Sequence, residues 1–163
     1  MAKLLSAAVA LALFLSPVSA RAGGVLEGSL GSGFRWDPKP TERIPTNVML
    51  AAGYSFPIVK LELGALANLA DVENSEFDVD LRPMIVVKPP LFPLYVRGIL
   101  SYSNLIEGPK TFGYGGAVGL RIGPPVVGVG AFLEAGALTK KVKVGDLEED
   151  VWFAEGRLGV YWD

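Results

Sequence analysis

The chain has 163 residues, half of them hydrophobic, with 15 Lys or Arg against 17 Asp or Glu and a formal net charge of −2. It contains no cysteine and no histidine. This excludes disulfides and thiolate metal sites, and it removes the commonest general base and transition-metal ligand. The mildly negative balance gives no basis for a nucleic-acid partner.

The first segment reads as a secretory signal peptide. Lys3 supplies a positive start, Leu4 to Leu15 form an apolar run, and small residues follow at Ser19, Ala20 and Ala22 in SPVSARA. The run is shorter than the ~20 residues that a spanning helix needs. Cleavage is expected after Ala20 or Ala22, so residues 1–22 form the leader and residues 23–163 a single exported domain.

Along residues 23–163 the apolar residues alternate. Successive side chains of a strand point to opposite faces, so a period of two predicts strands. Leu26, Leu30, Phe34 and Trp36 share one parity, against Glu27, Ser29 and Arg35. Val48, Leu50, Ala52, Tyr54 and Phe56 come next, then Val59, Leu61, Leu63, Ala65, Ala67 and Leu69 against Lys60 and Glu62. In FDVDLRPMIVVK, Phe77, Val79, Leu81, Ile85 and Val87 oppose Asp78, Asp80, Arg82 and Lys88. Leu94, Val96, Leu100 and Tyr102 oppose Arg97, Ser101 and Ser103. Phe112, Tyr114, Val118, Leu120 and Ile122 oppose Gly113, Gly115 and Arg121. Val127, Val129, Ala131, Leu133 and Ala135 oppose Glu134, and Trp152, Ala154, Leu158, Val160 and Trp162 oppose Glu155, Arg157 and Tyr161. These are eight strands, most of them near the ~9–11 residues of a tilted bilayer crossing.

The connections alternate as well. SFPI (55–58), KPPLFP (88–93) and GPPV (123–126) are short and carry proline. DPKPTERIPT (37–46), DVENSE (71–76), NLIEGPKT (104–111) and TKKVKVGDLEED (139–150) are longer and polar. The expected fold is all-β, an eight-stranded antiparallel up-and-down barrel with short turns at one end and longer loops at the other.

A soluble barrel would hide the apolar parity and a membrane barrel the charged one. The charged parity carries Glu27, Glu62, Asp78, Asp80, Glu134 and Glu155 with Arg35, Lys60, Arg82, Lys88, Arg97, Arg121 and Arg157. This near balance of acids and bases suggests pairing in an enclosed space. The same parity is rich in glycine, including Gly31, Gly33, Gly53, Gly64, Gly113, Gly115, Gly119, Gly128 and Gly130. Small residues beside long side chains suit an eight-stranded barrel, which is only just wide enough to be filled. On the apolar parity the aromatics sit near strand ends. Trp36, Tyr102, Phe112, Tyr114 and Trp152 lie by the long loops, and Tyr54, Phe56 and Trp162 by the short turns. Two aromatic girdles around an aliphatic band fit a transmembrane barrel, because amphipathic rings prefer the headgroup level. The charged parity is therefore expected inside and the apolar parity against lipid. A soluble periplasmic calycin-like ligand-binding barrel, with apolar residues inside, is the alternative.

In this pattern residues 23–163 resemble the small eight-stranded outer-membrane β-barrels of Gram-negative bacteria, the OmpA/OmpX type. The segment GRLGVYWD is similar to that family's assembly signal: Leu158, Val160 and Trp162 alternate, with Tyr161 between and Asp163 after. The resemblance implies placement in the outer membrane, with the short turns in the periplasm and the longer loops outside. It also implies outer-membrane lipids, lipopolysaccharide and the barrel-assembly machinery as partners, and a monomer is expected.

Chemistry is sparse. Barrel hydrolases and acyltransferases of the Ser–His kind lack their base here, and no lysine stands in an SxxK pattern, so no enzyme activity, catalytic residue or cofactor is expected. Asp78 and Asp80 share a face at ~7 Å spacing, but with Arg82 nearby an interior ion-pair network is the stronger reading than paired catalytic carboxylates. Asp146, Glu148, Glu149 and Asp150 lack the spacing of a calcium loop, so no metal site is expected. Lys140, Lys141 and Lys143 could meet lipopolysaccharide phosphates. GYGGAVG (113–119) lies within a strand and no helix follows it, unlike a phosphate loop. A structural or envelope-maintenance role leads, with a narrow small-solute channel and recognition through the loops as alternatives.

Overall fold

The computed structural model describes residues 23–36, 43–69, 79–89, 92–105, 110–123, 128–144 and 147–163, with backbone alone at 142–144 and 147–149. The strands are β1 (Gly23–Arg35), β2 (Arg43–Ser55), β3 (Val59–Asn68), β4 (Val79–Val87), β5 (Leu94–Ser103), β6 (Thr111–Ile122), β7 (Val129–Val144) and β8 (Leu147–Trp162). Each pairs antiparallel with the next, and β8 returns to β1, so the sheet is a closed barrel. Closure leaves no strand with an unpaired edge.

The register sets the shape. A path through lateral partners runs Val25, Gly53, Glu62, Met84, Ile99, Gly115, Leu138 and Phe153, and it re-enters β1 at Arg35, ten residues beyond its start. With ~3.3 Å per residue along a strand and ~4.8 Å between strands, that stagger tilts the strands by about 40° and gives a backbone radius of about 8 Å. Each residue then climbs about 2.5 Å along the barrel axis.

Two irregularities have local causes. β1 carries a bulge between Gly31 and Gly33, and the Ser32 hydroxyl donates to the Ile44 carbonyl at 3.2 Å. On β4, Pro83 has no N–H to give. The β4–β5 ladder passes there from Leu81–Tyr102 to Met84–Ile99 without a pair between.

The structure corrects two expected boundaries. Within the expected loop 139–150, residues 139–144 and 147–150 are strand: β7 runs to Val144 and β8 starts at Leu147, with Lys141 set opposite Asp150 and Lys143 opposite Glu148 in register. Likewise β2 already begins at Arg43, within the expected loop 37–46. In both places a period-two pattern with β-branched residues continues through charged sequence, and the backbone follows the pattern. The leader 1–22, Phe77, Asp78 and the segment 71–76 lie outside the described residues.

Candidate functional site

The barrel separates its two parities. Arg82, Arg97, Glu27, Glu62, Glu134 and Arg157 are buried, and Lys60 is fully so. Leu30, Leu50, Leu61, Leu63, Ile85, Val96, Leu100, Val118, Leu133, Leu158 and Val160 are exposed on the outer wall. Arg97 is 2% exposed and Leu158 62%. A water-soluble barrel has the opposite arrangement.

One cluster of charges fills the end of the barrel near the short turns. Arg97 sits among three carboxylates, at 2.6 Å from Glu27, 3.5 Å from Glu62 and 3.2 Å from Glu134. Arg121 reaches the other oxygen of Glu27 at 2.6 Å and Asp163 at 3.1 Å. Asp163 also takes Lys60 and, at 3.3 Å, Lys88. Tyr95 donates its hydroxyl to Glu134 at 2.8 Å. Its ring lies under the guanidinium groups of Arg97 and Arg121, at 5.6 and 5.2 Å from the centroid, and Arg121 stacks on Tyr161 at 4.3 Å. Buried charges are tolerable when they form such a mutually satisfying set. Glu62 is the weak member: neither of its oxygens accepts a hydrogen bond among the described residues, and the Arg97 charge compensates it.

A second cluster lies toward the long loops. Arg82 grips Glu155 in a two-pronged contact at 2.8 and 2.9 Å. Arg157 bonds Glu155 at 3.2 Å and the Asn47 side-chain oxygen at 2.8 Å. Lys140 bonds Asp80 at 2.7 Å. Around and above this cluster opens a vestibule of about 230 Å³, lined by Arg35, Arg43, Ile44, Asn47, Leu66, Asn68, Asp80, Arg82, Lys140, Phe153 and Glu155, with Pro45 at its edge.

Of the charges expected inside, Glu27, Lys60, Glu62, Asp80, Arg82, Arg97, Arg121, Glu134, Glu155 and Arg157 fall into these two clusters, and Arg35 lines the vestibule. Asp78 lies outside the described residues, so its pairing with Asp80 is not described. Three features were not anticipated. Asp163, beyond the last strand, folds back as an interior anion, its N–H bonded to the Gly128 carbonyl. Lys140, expected at the lipopolysaccharide level, turns inward to Asp80. The interior is also partly apolar: Met49, Ala51, Leu66, Met84, Ile99, Ala117 and Leu138 form one buried cluster, and Val86, Tyr95 and Phe132 another.

Glycines make room for the large interior side chains. A Cβ at Gly119 would fall on the Tyr95 ring, and one at Gly31 would press on Asn47 and Arg157 at 2.8 and 3.0 Å. Burial raises the Asp163 carboxyl, but the Lys60 hydrogen bond and the charges of Lys60, Lys88 and Arg121 outweigh this and hold it below the ordinary carboxylate value.

On the outer wall the eight expected girdle residues Trp36, Tyr54, Phe56, Tyr102, Phe112, Tyr114, Trp152 and Trp162 are all exposed, as are Phe34 and Phe92. Tyr54 packs on Phe56, and Tyr102 on its cross-strand neighbour Phe112, both at 5.1 Å between ring centres. Trp152 and Trp162 stand on the same face of β8, ten residues apart. At about 2.5 Å per residue they mark levels about 25 Å apart along the axis.

No family model matches the sequence, and no curated protein matches it. Among solved structures the barrel is similar to the N-terminal β-barrel domain of OprF from Pseudomonas aeruginosa, with 14% identity and a TM-score of 0.50 over 87% of this chain and 100% of that one. A de novo designed transmembrane β-barrel matches at 18% identity and a TM-score of 0.44, over 88% of this chain and 98% of that one. The likeness to the OprF domain is one of fold: this chain is a closed eight-stranded antiparallel barrel.

Proposed function

We propose that the chain is an integral outer-membrane β-barrel with a structural or envelope-maintenance role and no catalytic activity, exported by a cleaved leader at residues 1–22. The observation that carries this reading is the continuous apolar outer wall between two aromatic levels about 25 Å apart, the height of a bilayer-facing band. A soluble monomer rarely exposes a contiguous apolar patch above a few hundred Å². A closed barrel pairs every strand, which satisfies the backbone where lipid offers no hydrogen bonds. Outer-membrane lipids and lipopolysaccharide are then the surrounding solvent, and the barrel-assembly machinery acts during insertion.

The interior favours a structural role over a channel. Arg97 and its three carboxylates, with Tyr95, Phe132 and Val86 beside them, pack the barrel near the short turns. Absence of histidine removes the base of Ser–His mechanisms. The test is envelope fractionation with gel migration before and after boiling. Retention in the outer-membrane fraction with a heat-dependent shift supports the proposal, whereas recovery in buffer without detergent contradicts it.

A further inference from the structure

We propose that the barrel mouth by the short turns is a binding site for a small oxyanion, which the protein's own Asp163 carboxylate occupies as a tethered, displaceable ligand. Lys60, Lys88 at 3.3 Å and Arg121 at 3.1 Å all converge on one oxygen of that carboxylate, Oδ2. Lys60 stands on β3, Arg121 on β6 and Lys88 one residue beyond β4. The closed barrel, and not one local segment, aims them at a single point. A carboxylate oxygen offers two lone pairs, and here three charged donors crowd it. A tetrahedral oxyanion, with more oxygens and up to two charges, satisfies such a set better. Among the described residues the three cations pair with Asp163, and Arg121 also with Glu27. Three cations and one carboxylate sum to +2 at the mouth, offset deeper in by −2 from Arg97 and its three carboxylates. Withdrawing the Asp163 side chain raises the mouth to +3 and the whole cluster from neutral to +1. Low-dielectric walls focus such an excess on whatever enters.

The carboxylate can leave without unfolding the barrel. Asp163 lies one residue past β8, and its backbone is held by the N–H to Gly128 carbonyl bond at 2.7 Å. Rotation of the side chain between staggered rotamers is enough to carry the carboxylate away. The side chains of Asp163 and Lys88 are partly open to solvent, so an entering anion has a path. Lys60 is fully buried, and a buried charge left alone is costly, so its place must be filled by an anion. The Tyr161 ring lies against Arg121 at 4.3 Å and Lys60 at 5.5 Å, which steadies both heads during the exchange. The space vacated is that of one carboxylate group, which selects a compact ligand of the sulfate or phosphate class. The site needs the folded barrel and not a membrane around it, so its failure and the failure of the envelope assignment are distinguishable.

The test is isothermal titration of the purified protein in non-ionic micelles with sulfate and with acetate, each variant's fold being checked by its heat-dependent gel shift. A tethered ligand competes at an effective concentration on the order of mM, so Asp163→Asn should bind sulfate at least roughly tenfold more tightly than the wild type. Asp163→Ser, which vacates the same place, should do likewise, and Asp163→Glu, which keeps the charge, should not. In the Asp163→Asn background, adding Arg121→Gln should weaken sulfate roughly tenfold or more, the scale of one hydrogen bond to a charged group. Adding Lys88→Gln should weaken it less, because Lys88 is the most exposed of the three. Sulfate should bind more tightly than acetate, and both more weakly as potassium chloride rises. Equal sulfate affinity in the wild type and Asp163→Asn, no saturable binding to folded Asp163→Asn and Asp163→Ser, or binding indifferent to Arg121→Gln would overturn the proposal. Loss of the gel shift in both vacated variants would also overturn it, since the carboxylate would then be a fixed part of the fold and not a displaceable ligand.

Discussion

The substitution Leu158→Arg separates lipid from water as the medium around the barrel. Leu158 lies on the outer face of β8, directly lateral to Leu30 on β1 and Leu133 on β7, and all three are more than half exposed. It stands four residues from Trp162 and six from Trp152, hence about 10 Å and 15 Å along the axis from the two aromatic levels. That is within about 3 Å of the midplane of the band. Arginine on the lipid face at the midplane costs about 2–4 kcal/mol, falling to about 0–1 near the interfaces. The folding equilibrium constant should drop roughly thirty- to several-hundredfold. Val160→Arg, about 5 Å from the Trp162 level, should cost distinctly less. The assay is urea titration of the barrel in lipid vesicles, followed by tryptophan fluorescence. In water an exposed leucine tolerates such a change within about 0.5 kcal/mol. A Leu158→Arg effect of that size, or equal effects at 158 and 160, would refute the reasoning.

Further outcomes follow from the interior. Arg97→Met leaves Glu27, Glu62 and Glu134 without their shared cation and should destabilise the barrel by about 3–5 kcal/mol in the same titration; adding Glu62→Gln should recover part of the loss. Gly119→Val drives a side chain into the Tyr95 ring and should cost about 1–3 kcal/mol, relieved when Tyr95→Ala is added. Because the folded Asp163 carboxyl is held below its unfolded value near 3.8, its contribution is full above that value and fades as pH falls through the lower folded one. Acid titration of stability should therefore show a loss below about pH 4 that is smaller in Asp163→Asn, and an identical acid limb in both would contradict the assignment.

Much of the wall was legible in the sequence because alternation is a direct image of the pleat. Runs such as Leu61–Leu63–Ala65–Ala67 and Val118–Leu120–Ile122 name their outward face residue by residue. Where both parities are apolar, alternation loses its information: in Met84–Ile85–Val86–Val87 the inward members Met84 and Val86 pass for part of the greasy side, and so the apolar core of the barrel was not anticipated. Tyr95 and Phe132 were missed for the same reason, since each is flanked by apolar outward neighbours. The ion-pair partners were illegible because they join residues far apart in sequence. Arg97 and Glu27 are 70 residues apart and Arg121 and Glu27 are 94 apart, brought together by the stagger of the closed barrel. Charge density hid the extension of β7 and β8: in Lys141–Val142–Lys143–Val144 the period of two was present, but the lysines read as a loop.

The inversion of polarity is tested most directly by spin labels on single cysteines, which the absence of native cysteine permits. With the barrel in lipid vesicles, labels at Ala154, Leu158 and Val160 should collide freely with oxygen and rarely with a polar nickel chelate, while labels at Ser29 and Ser101, buried inside, should be reached little by either. Free access of the nickel chelate to 154, 158 and 160 would place those residues in water and contradict the account.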